Sequence, residues 1–151
     1  MITRTASARY EGMGKTGKGW VSTQSGVLKD SRYGFNTRFE GEPGTNPEEL
    51  IAAAHASCFT MALSFALAGA GHNEGNLETE AKVKLDQDGA GFKVSRSDLR
   101  LTASVPGIEE AELRRLAEEA KQNCPISKVL NAEMTLDVQS AKGHLPPKLR
   151  E

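Results

Sequence analysis

Leu50 to Ala70 carries no formal charge, and on both sides of it apolar and polar residues alternate with a period of two. Before it, Arg4–Tyr10 and Trp20–Ser25 read as strands, joined by the glycine-rich run from Gly12 to Gly19. A third short strand fits Tyr33–Phe39, and Gly41-Glu-Pro-Gly44 reads as a turn. After it, Ala81, Val83 and Leu85 face one way and Lys82, Lys84 and Asp86 the other, the pattern of a half-buried strand. Gly89-Ala-Gly91 makes a hairpin turn. Phe92 and Val94 continue the alternation, but Leu99, Leu101, Ala103 and Val105 have the opposite parity, which predicts a bulge or break near Arg96–Asp98. Met134, Leu136 and Val138 form a last strand.

The uncharged stretch reads as a long helix. Asn46 is its N-cap, Pro47 takes the first helical position, and Glu49 stands three after the cap. Glu49 therefore has a local job, whereas Glu48 does not. Ile51, Ala54, Cys58, Met61 and Phe65 form one stripe at helical spacing, and Gly69-Ala-Gly71 ends the helix. A second, amphipathic helix spans Ile108–Lys121, with Leu113, Leu116, Ala117 and Ala120 inward and Asn123 as a left-handed C-cap. Pro125 then opens a short helix, Pro125–Asn131. The order β-β-β-α-β-β-α-α-β gives an α+β fold with a mainly antiparallel sheet around a long buried central helix. One sheet covers one face of that helix, so a second subunit is the natural cover for the other, and a homodimer is expected.

The length, 151 residues, favours one domain over residues 1–140, with residues 141–151 a loosely held tail. Nineteen basic and 20 acidic side chains give a net charge of −1, which leaves no footprint for nucleic acid. No basic block suggests a membrane surface. The long uncharged helix contains His55, Ser57, Thr60 and Ser64 and is mostly alanine, so it is expected inside a soluble protein rather than across a bilayer. The first residues, Met-Ile-Thr-Arg-Thr-Ala, lack the apolar core of a signal peptide, so a cytoplasmic location is expected.

Three kinds of chemistry are suggested by the residues. Gly12-x-x-x-x-Gly17-Lys18 resembles the start of a phosphate loop, but Gly19 stands where a magnesium-binding Ser or Thr belongs and a strand follows instead of a helix. His55 and Cys58 could share a helix face, and Cys124 could add a third ligand, but no C-x-x-C pair accompanies them, so no metal is expected. The two cysteines themselves are the third. In a cytosolic protein a disulfide between them would be functional rather than structural. A thiol with pKa about 8.5 is only about 3% thiolate at pH 7; lowering it to about 6 costs about 3 kcal/mol, which one nearby cation can supply. Arg38, just before the turn into the long helix, is the best source. Glu48 lies ten residues before Cys58, roughly 80° away on the helical wheel, and could hold that arginine; Glu49, nine before, lies on the opposite face. Cys124 stands where one helix stops and another starts, a setting that also favours thiolate, so either cysteine could be the attacking group.

Thr45-Asn-Pro-Glu-Glu-Leu-Ile-Ala-Ala-Ala-His-Ala-Ser-Cys58-Phe, together with Asn123-Cys-Pro-Ile-Ser-Lys128 and Phe35-Asn-Thr-Arg-Phe39, resembles the osmotically inducible protein C and organic hydroperoxide resistance family, closer to the former branch. The element order fits over nearly the whole chain. The resemblance implies a cytoplasmic thiol-dependent peroxidase built as an intertwined homodimer. It aligns Cys58 with the peroxidatic cysteine, Cys124 with the resolving cysteine, Arg38 with the arginine that polarises thiolate and peroxide, and Glu48 with the carboxylate that orients it. His55 is outside that catalytic set. The implied cycle takes an organic hydroperoxide, passes through a Cys58 sulfenic acid and a Cys58–Cys124 disulfide, and is closed by a dithiol with dihydrolipoyl precedent. It needs no metal, haem or flavin. Phe39, Phe59, Met61 and Ile126 are the expected apolar lining for the substrate. Two other readings use the same residues: a redox sensor or ligand-binding protein that forms the disulfide without turnover, and a structural stress protein with inert thiols.

Overall fold

The computed structural model describes residues 1–141, so the tail from residue 142 on lies outside the described residues. The chain forms two compact units, Met1–Leu50 and the remainder from Ile51. In the first, β1 (Ala6–Glu11), β2 (Lys18–Thr23) and β3 (Ser31–Tyr33) make an antiparallel sheet in that order. The glycine-rich run between β1 and β2 contains a single 3-10 turn, Gly14–Thr16. Gly19 is required by packing: a Cβ there would lie 2.6 Å from the Tyr33 ring and 2.9 Å from the Tyr10 ring. Those two rings meet edge to face with centroids 6.2 Å apart.

The third strand stops earlier than its sequence pattern predicts. β3 ends at Tyr33, and Phe35–Phe39 forms a one-turn helix, α1. Gly34 makes the change of direction at φ 157°. The Thr37 hydroxyl then closes the turn, accepting from the Gly34 N–H at 2.8 Å and donating to the Gly34 carbonyl at 3.0 Å. A side chain that bonds its neighbour's backbone competes with strand pairing in this way.

α2 spans Pro47–Gly69. Its start follows the capping logic of the sequence: the Asn46 side chain accepts from the Glu49 N–H at 2.8 Å. The second unit continues with β4 (Asn76–Asp88), β5 (Gly91–Ser104), α3 (Glu110–Asn123), α4 (Pro125–Val129) and β6 (Glu133–Ser140). Its strands form a separate sheet in the order β4-β5-β6, with β4–β5 antiparallel and β5–β6 parallel. The α3–α4 segment is the crossover that lets β6 return in the same direction as β5. The strands thus form two sheets, one of them mixed, where the sequence reading expected a single one.

The core draws Phe59, Leu63 and Leu67 from α2, Leu99, Leu101 and Ala103 from β5, Leu113, Leu116, Ala117 and Ala120 from α3, and Val138 from β6. The buried stripe of α2 is therefore His55, Phe59, Leu63 and Leu67, not the predicted one; Met61 and Phe65 are 59% and 72% exposed. An alanine-rich helix is apolar on every side, so spacing alone does not select a face. By length and composition α2 could cross a membrane, with mean hydropathy 1.7. Its buried stripe joins the same apolar cluster as β5 and α3, as the core helix of a soluble protein does.

Two further corrections concern backbone detail. The predicted bulge sits at Ser95: Lys84 pairs with Arg96 and Leu85 with Val94, leaving Ser95 unpaired. Asn123 is not a left-handed cap but the last residue of α3, and Cys124 (φ −65°, ψ 139°) caps both the end of α3 and the start of α4.

Across the solvent side of the mixed sheet, Asp98 accepts from Arg96 at 2.9 Å and from the Thr135 hydroxyl at 2.6 Å, which ties β5 to β6. The bonds from Arg96 and then Thr135 depress its pKa to about 2. A depressed carboxylate contributes stability that is complete above its unfolded pKa, near 4, and is lost as pH falls through 2. Asp98→Asn is expected to cost up to about 1 kcal/mol at pH 7, the scale of a solvent-screened ion pair, and much less at pH 2, measured by urea unfolding at each pH. Equal losses at both would sink this assignment.

Candidate active site

The sequence-selected residues come together as two pairs, one in each unit. In the first, α1 carries Arg38 and the first turn of α2 carries Glu48. The guanidinium donates from Nε to Glu48 Oε1 and from Nη2 to Oε2, both at 2.8 Å. This fork-to-carboxylate geometry is the strong form of an ion pair. Glu49 is occupied locally: its carboxylate accepts from the Thr45 hydroxyl at 2.8 Å. Glu48 leaves three of the five guanidinium N–H donors unused, by the inventory of the arginine fork. Beside the pair lies a hollow of ≈ 310 Å³ whose walls include Tyr10, Tyr33, Phe35, Phe39 and Pro47, with Arg38 at its edge.

In the second unit, Cys58 is half-buried on α2 and Cys124 is 1% exposed at the α3–α4 junction; both are free thiols. The two thiols are close enough to share a hydrogen bond. Burial pushes the Cys58 thiol up from its ordinary value, the Ile126 backbone N–H pulls it down, and the bond and charge of Cys124 push it up again; the net direction is upward. Within this unit, then, Cys58 resists ionisation. Cys124 is placed by the helix cap: Pro125 sits at the first position of α4, and the Ser127 N–H donates to the Cys124 sulfur at 3.3 Å. The sulfur fills the role a capping oxygen usually plays.

Sequence reasoning passed over His55. It is fully buried, with Nδ1 2.6 Å from the Ser97 hydroxyl and Nε2 2.8 Å from the Ser127 hydroxyl. Ser127 Oγ lies 3.1 Å from Cys124 Sγ, so a chain of polar groups runs from β5 through α2 to the second cysteine. Burial pushes the imidazole below its ordinary value. The only signals in the sequence were a histidine on an otherwise apolar helix and a serine three residues after Cys124, at capping spacing. With both ring nitrogens engaged by serines, His55 has no lone pair left over for a metal shared with Cys58. Among the described residues no three His, Cys, Asp or Glu side chains cluster as metal ligands.

The expected apolar lining is also revised. Phe59 has no exposed surface and belongs to the core, whereas Met61 projects outward and Ile126 packs at the core's edge. Phe39 lines the hollow next to Arg38.

The family described as "OsmC-like protein" matches residues 39–139. Peroxiredoxin OsmC of Escherichia coli (strain K12) is 52% identical over 138 residues, covering 91% of this chain and 96% of that protein. The organic hydroperoxide resistance protein OhrB of Bacillus subtilis (strain 168) is 30% identical over 123 residues, 80% of this chain and 88% of the relative. The crystal structure of the Bacillus subtilis protein superposes with a TM-score of 0.69 at 29% identity, over 91% of this chain and 98% of that one. A likeness that takes in the capped entry to α2, both cysteines and the strands between them leaves one assignment: the chain belongs to the OsmC-like protein family.

Proposed function

We propose that the protein is a thiol-dependent peroxidase that reduces organic hydroperoxides. The observation that carries this reading is the pairing of a half-buried Cys58 with a buried Cys124, in a chain 52% identical to Peroxiredoxin OsmC. Cys58 thiolate attacks the outer peroxide oxygen and becomes a sulfenic acid, and the alkoxide leaves as alcohol after taking a proton. Cys124 then displaces that oxygen as water and forms the disulfide. An external dithiol, for which a dihydrolipoyl group is the family precedent, restores both thiols by exchange.

Because the net effect of burial, the Ile126 N–H and Cys124 favours the neutral Cys58 thiol, a cation must lower its pKa. Arg38 is that cation in our reading, and Glu48 fixes its orientation while leaving donors for the peroxide. The aromatic hollow beside Arg38 receives the organic part of the substrate. A second copy of the chain covers the exposed Met61–Phe65 face of α2, giving a homodimer; sedimentation as a monomer at micromolar concentration would remove that element. We place the protein in the reducing cytoplasm, where a disulfide between its two cysteines would be functional rather than structural.

Peroxide consumption with excess dithiol tests the function. Many equivalents of cumene hydroperoxide should be consumed per protein, with a higher kcat/KM than for hydrogen peroxide. Consumption that stops at one equivalent would make the protein a sensor, and equal efficiency for the two peroxides would remove the apolar hollow from the account.

A further inference from the structure

The hydrogens along the buried polar chain can be placed by counting. Ser97 Oγ has His55 Nδ1 as its hydrogen-bond partner among the described residues, and its hydroxyl is fully buried. A buried hydroxyl hydrogen needs an acceptor, so it goes to Nδ1. Nδ1 is then the bare nitrogen, and the neutral ring carries its proton on Nε2, which donates to Ser127 Oγ. Ser127 Oγ accepts that bond and has Cys124 Sγ as its other partner, so its own hydrogen points at the sulfur. The Ser127 N–H points there too. The chain thus has one direction, ending with two donors aimed at Cys124.

Two donors on a sulfur matter most when that sulfur carries negative charge. Resting on the peroxidase cycle proposed above, one step creates such a charge by expulsion. Cys124 is 1% exposed and Cys58 is half-buried, so an incoming dithiol reaches Cys58. Its thiolate forms a new S–S bond to Cys58 Sγ, the Cys58–Cys124 bond breaks, and the electron pair leaves on Cys124 Sγ. The second thiol of the reductant then closes on the first sulfur and releases Cys58. The dithiol is oxidised to its disulfide, the two protein sulfurs take up its two electrons, and its two protons end on the protein thiols through solvent. Exchange speeds up as the leaving thiolate is better stabilised.

We propose that Ser97, His55 and Ser127 form a directed hydrogen-bond chain that receives Cys124 as a thiolate when the disulfide is reduced. His55 is a positioning residue in this step. It never touches the reacting sulfurs; it presents an acceptor to Ser97 and a donor to Ser127, and so turns the Ser127 hydroxyl toward Cys124. A glutamine in its place offers the same pair of groups, an amide oxygen and an amide N–H, without an ionisable ring. A phenylalanine offers neither.

The test forms the disulfide with diamide, without peroxide, and follows its reduction by dithiothreitol or dihydrolipoamide in stopped flow. Ser127→Ala and His55→Phe should each slow reduction about tenfold, the scale of one lost hydrogen bond to a charged group. His55→Gln should stay within about twofold of the unsubstituted protein. The imidazole nitrogen spectrum of the unsubstituted protein should show Nε2 protonated and Nδ1 bare. Where His55→Phe does not fold, Ser127→Ala and the spectrum carry the test. Reduction at the original rate in Ser127→Ala, a proton on Nδ1, or His55→Gln as slow as His55→Phe would each overturn the proposal. This reduction pattern in a protein that never turns over peroxide would sink the peroxidase reading while supporting the chain.

Discussion

Cys58→Ser is expected to abolish peroxide turnover, whereas Cys124→Ser is expected to consume one equivalent of peroxide and stop. The asymmetry follows from the step each sulfur performs. In the proposed cycle Cys58 supplies the electron pair that cleaves the O–O bond, and a hydroxyl cannot replace a thiolate in that attack; a loss of at least about 1000-fold is expected, the scale on which removing a nucleophile acts. Cys124 is needed only after the oxygen has been transferred. Its replacement leaves Cys58 as a sulfenic acid, which mass spectrometry after dimedone labelling should find on Cys58 alone. The fold should survive, because the sulfur of Cys124 serves as the cap of α4 and a serine hydroxyl caps at least as well. Retained turnover in Cys58→Ser, or an unmodified Cys58 in Cys124→Ser after stoichiometric peroxide, would falsify the order of the two cysteines.

The second large effect belongs to the Arg38–Glu48 pair. Arg38→Met should lower kcat/KM for cumene hydroperoxide about 100-fold, equivalent to the loss of roughly 3 kcal/mol of transition-state stabilisation. The same variant should shift the pH dependence of Cys58 alkylation upward, since only the Ile126 N–H would then oppose the burial that disfavours the thiolate. Glu48→Ala should cost about tenfold, because the guanidinium keeps its charge but loses the bidentate anchor that fixes its direction. The double variant should be no worse than Arg38→Met alone, the sign that Glu48 acts through Arg38. Additive losses would mean that the two residues serve different ends.

Much of this site was legible because local chemistry constrained it. Glu48 and Glu49 are adjacent and identical in kind, yet the N-cap at Asn46 claimed the backbone of the second and left the first free to take an arginine. The bulge was legible to within a residue, because apolar parity has to change somewhere between Val94 and Leu99. Other features depended on partners far away in the chain. His55 bonds Ser97 and Ser127, which are 42 and 72 residues distant, and no window along the sequence contains that chain. The inward face of α2 was misread for a related reason: a helix of alanine and scattered large residues gains its direction only from the β5 and α3 side chains that cluster with it. At Phe35–Phe39 a single hydroxyl, on Thr37, outweighed a plausible strand pattern.

The unpaired Ser95 works like a frameshift in a code with a period of two. Beyond it, toward the hairpin tip, even-numbered residues of β5 share a face with Leu85; before the core, the odd-numbered Ser97, Leu99, Leu101 and Ala103 do. Were Ser95 paired instead of bulged, a strand kept in register at its tip would turn Arg96, Asp98 and Arg100 inward. The hydroxyl that sets the His55 ring would then face solvent. The tip and the site are thus written in separate frames. The tip pairs Asp86–Lys93 and Gln87–Phe92 can be trimmed or added together without reaching the chemistry, whereas drawing Ser95 into the ladder reaches the cysteines from 29 residues before Cys124.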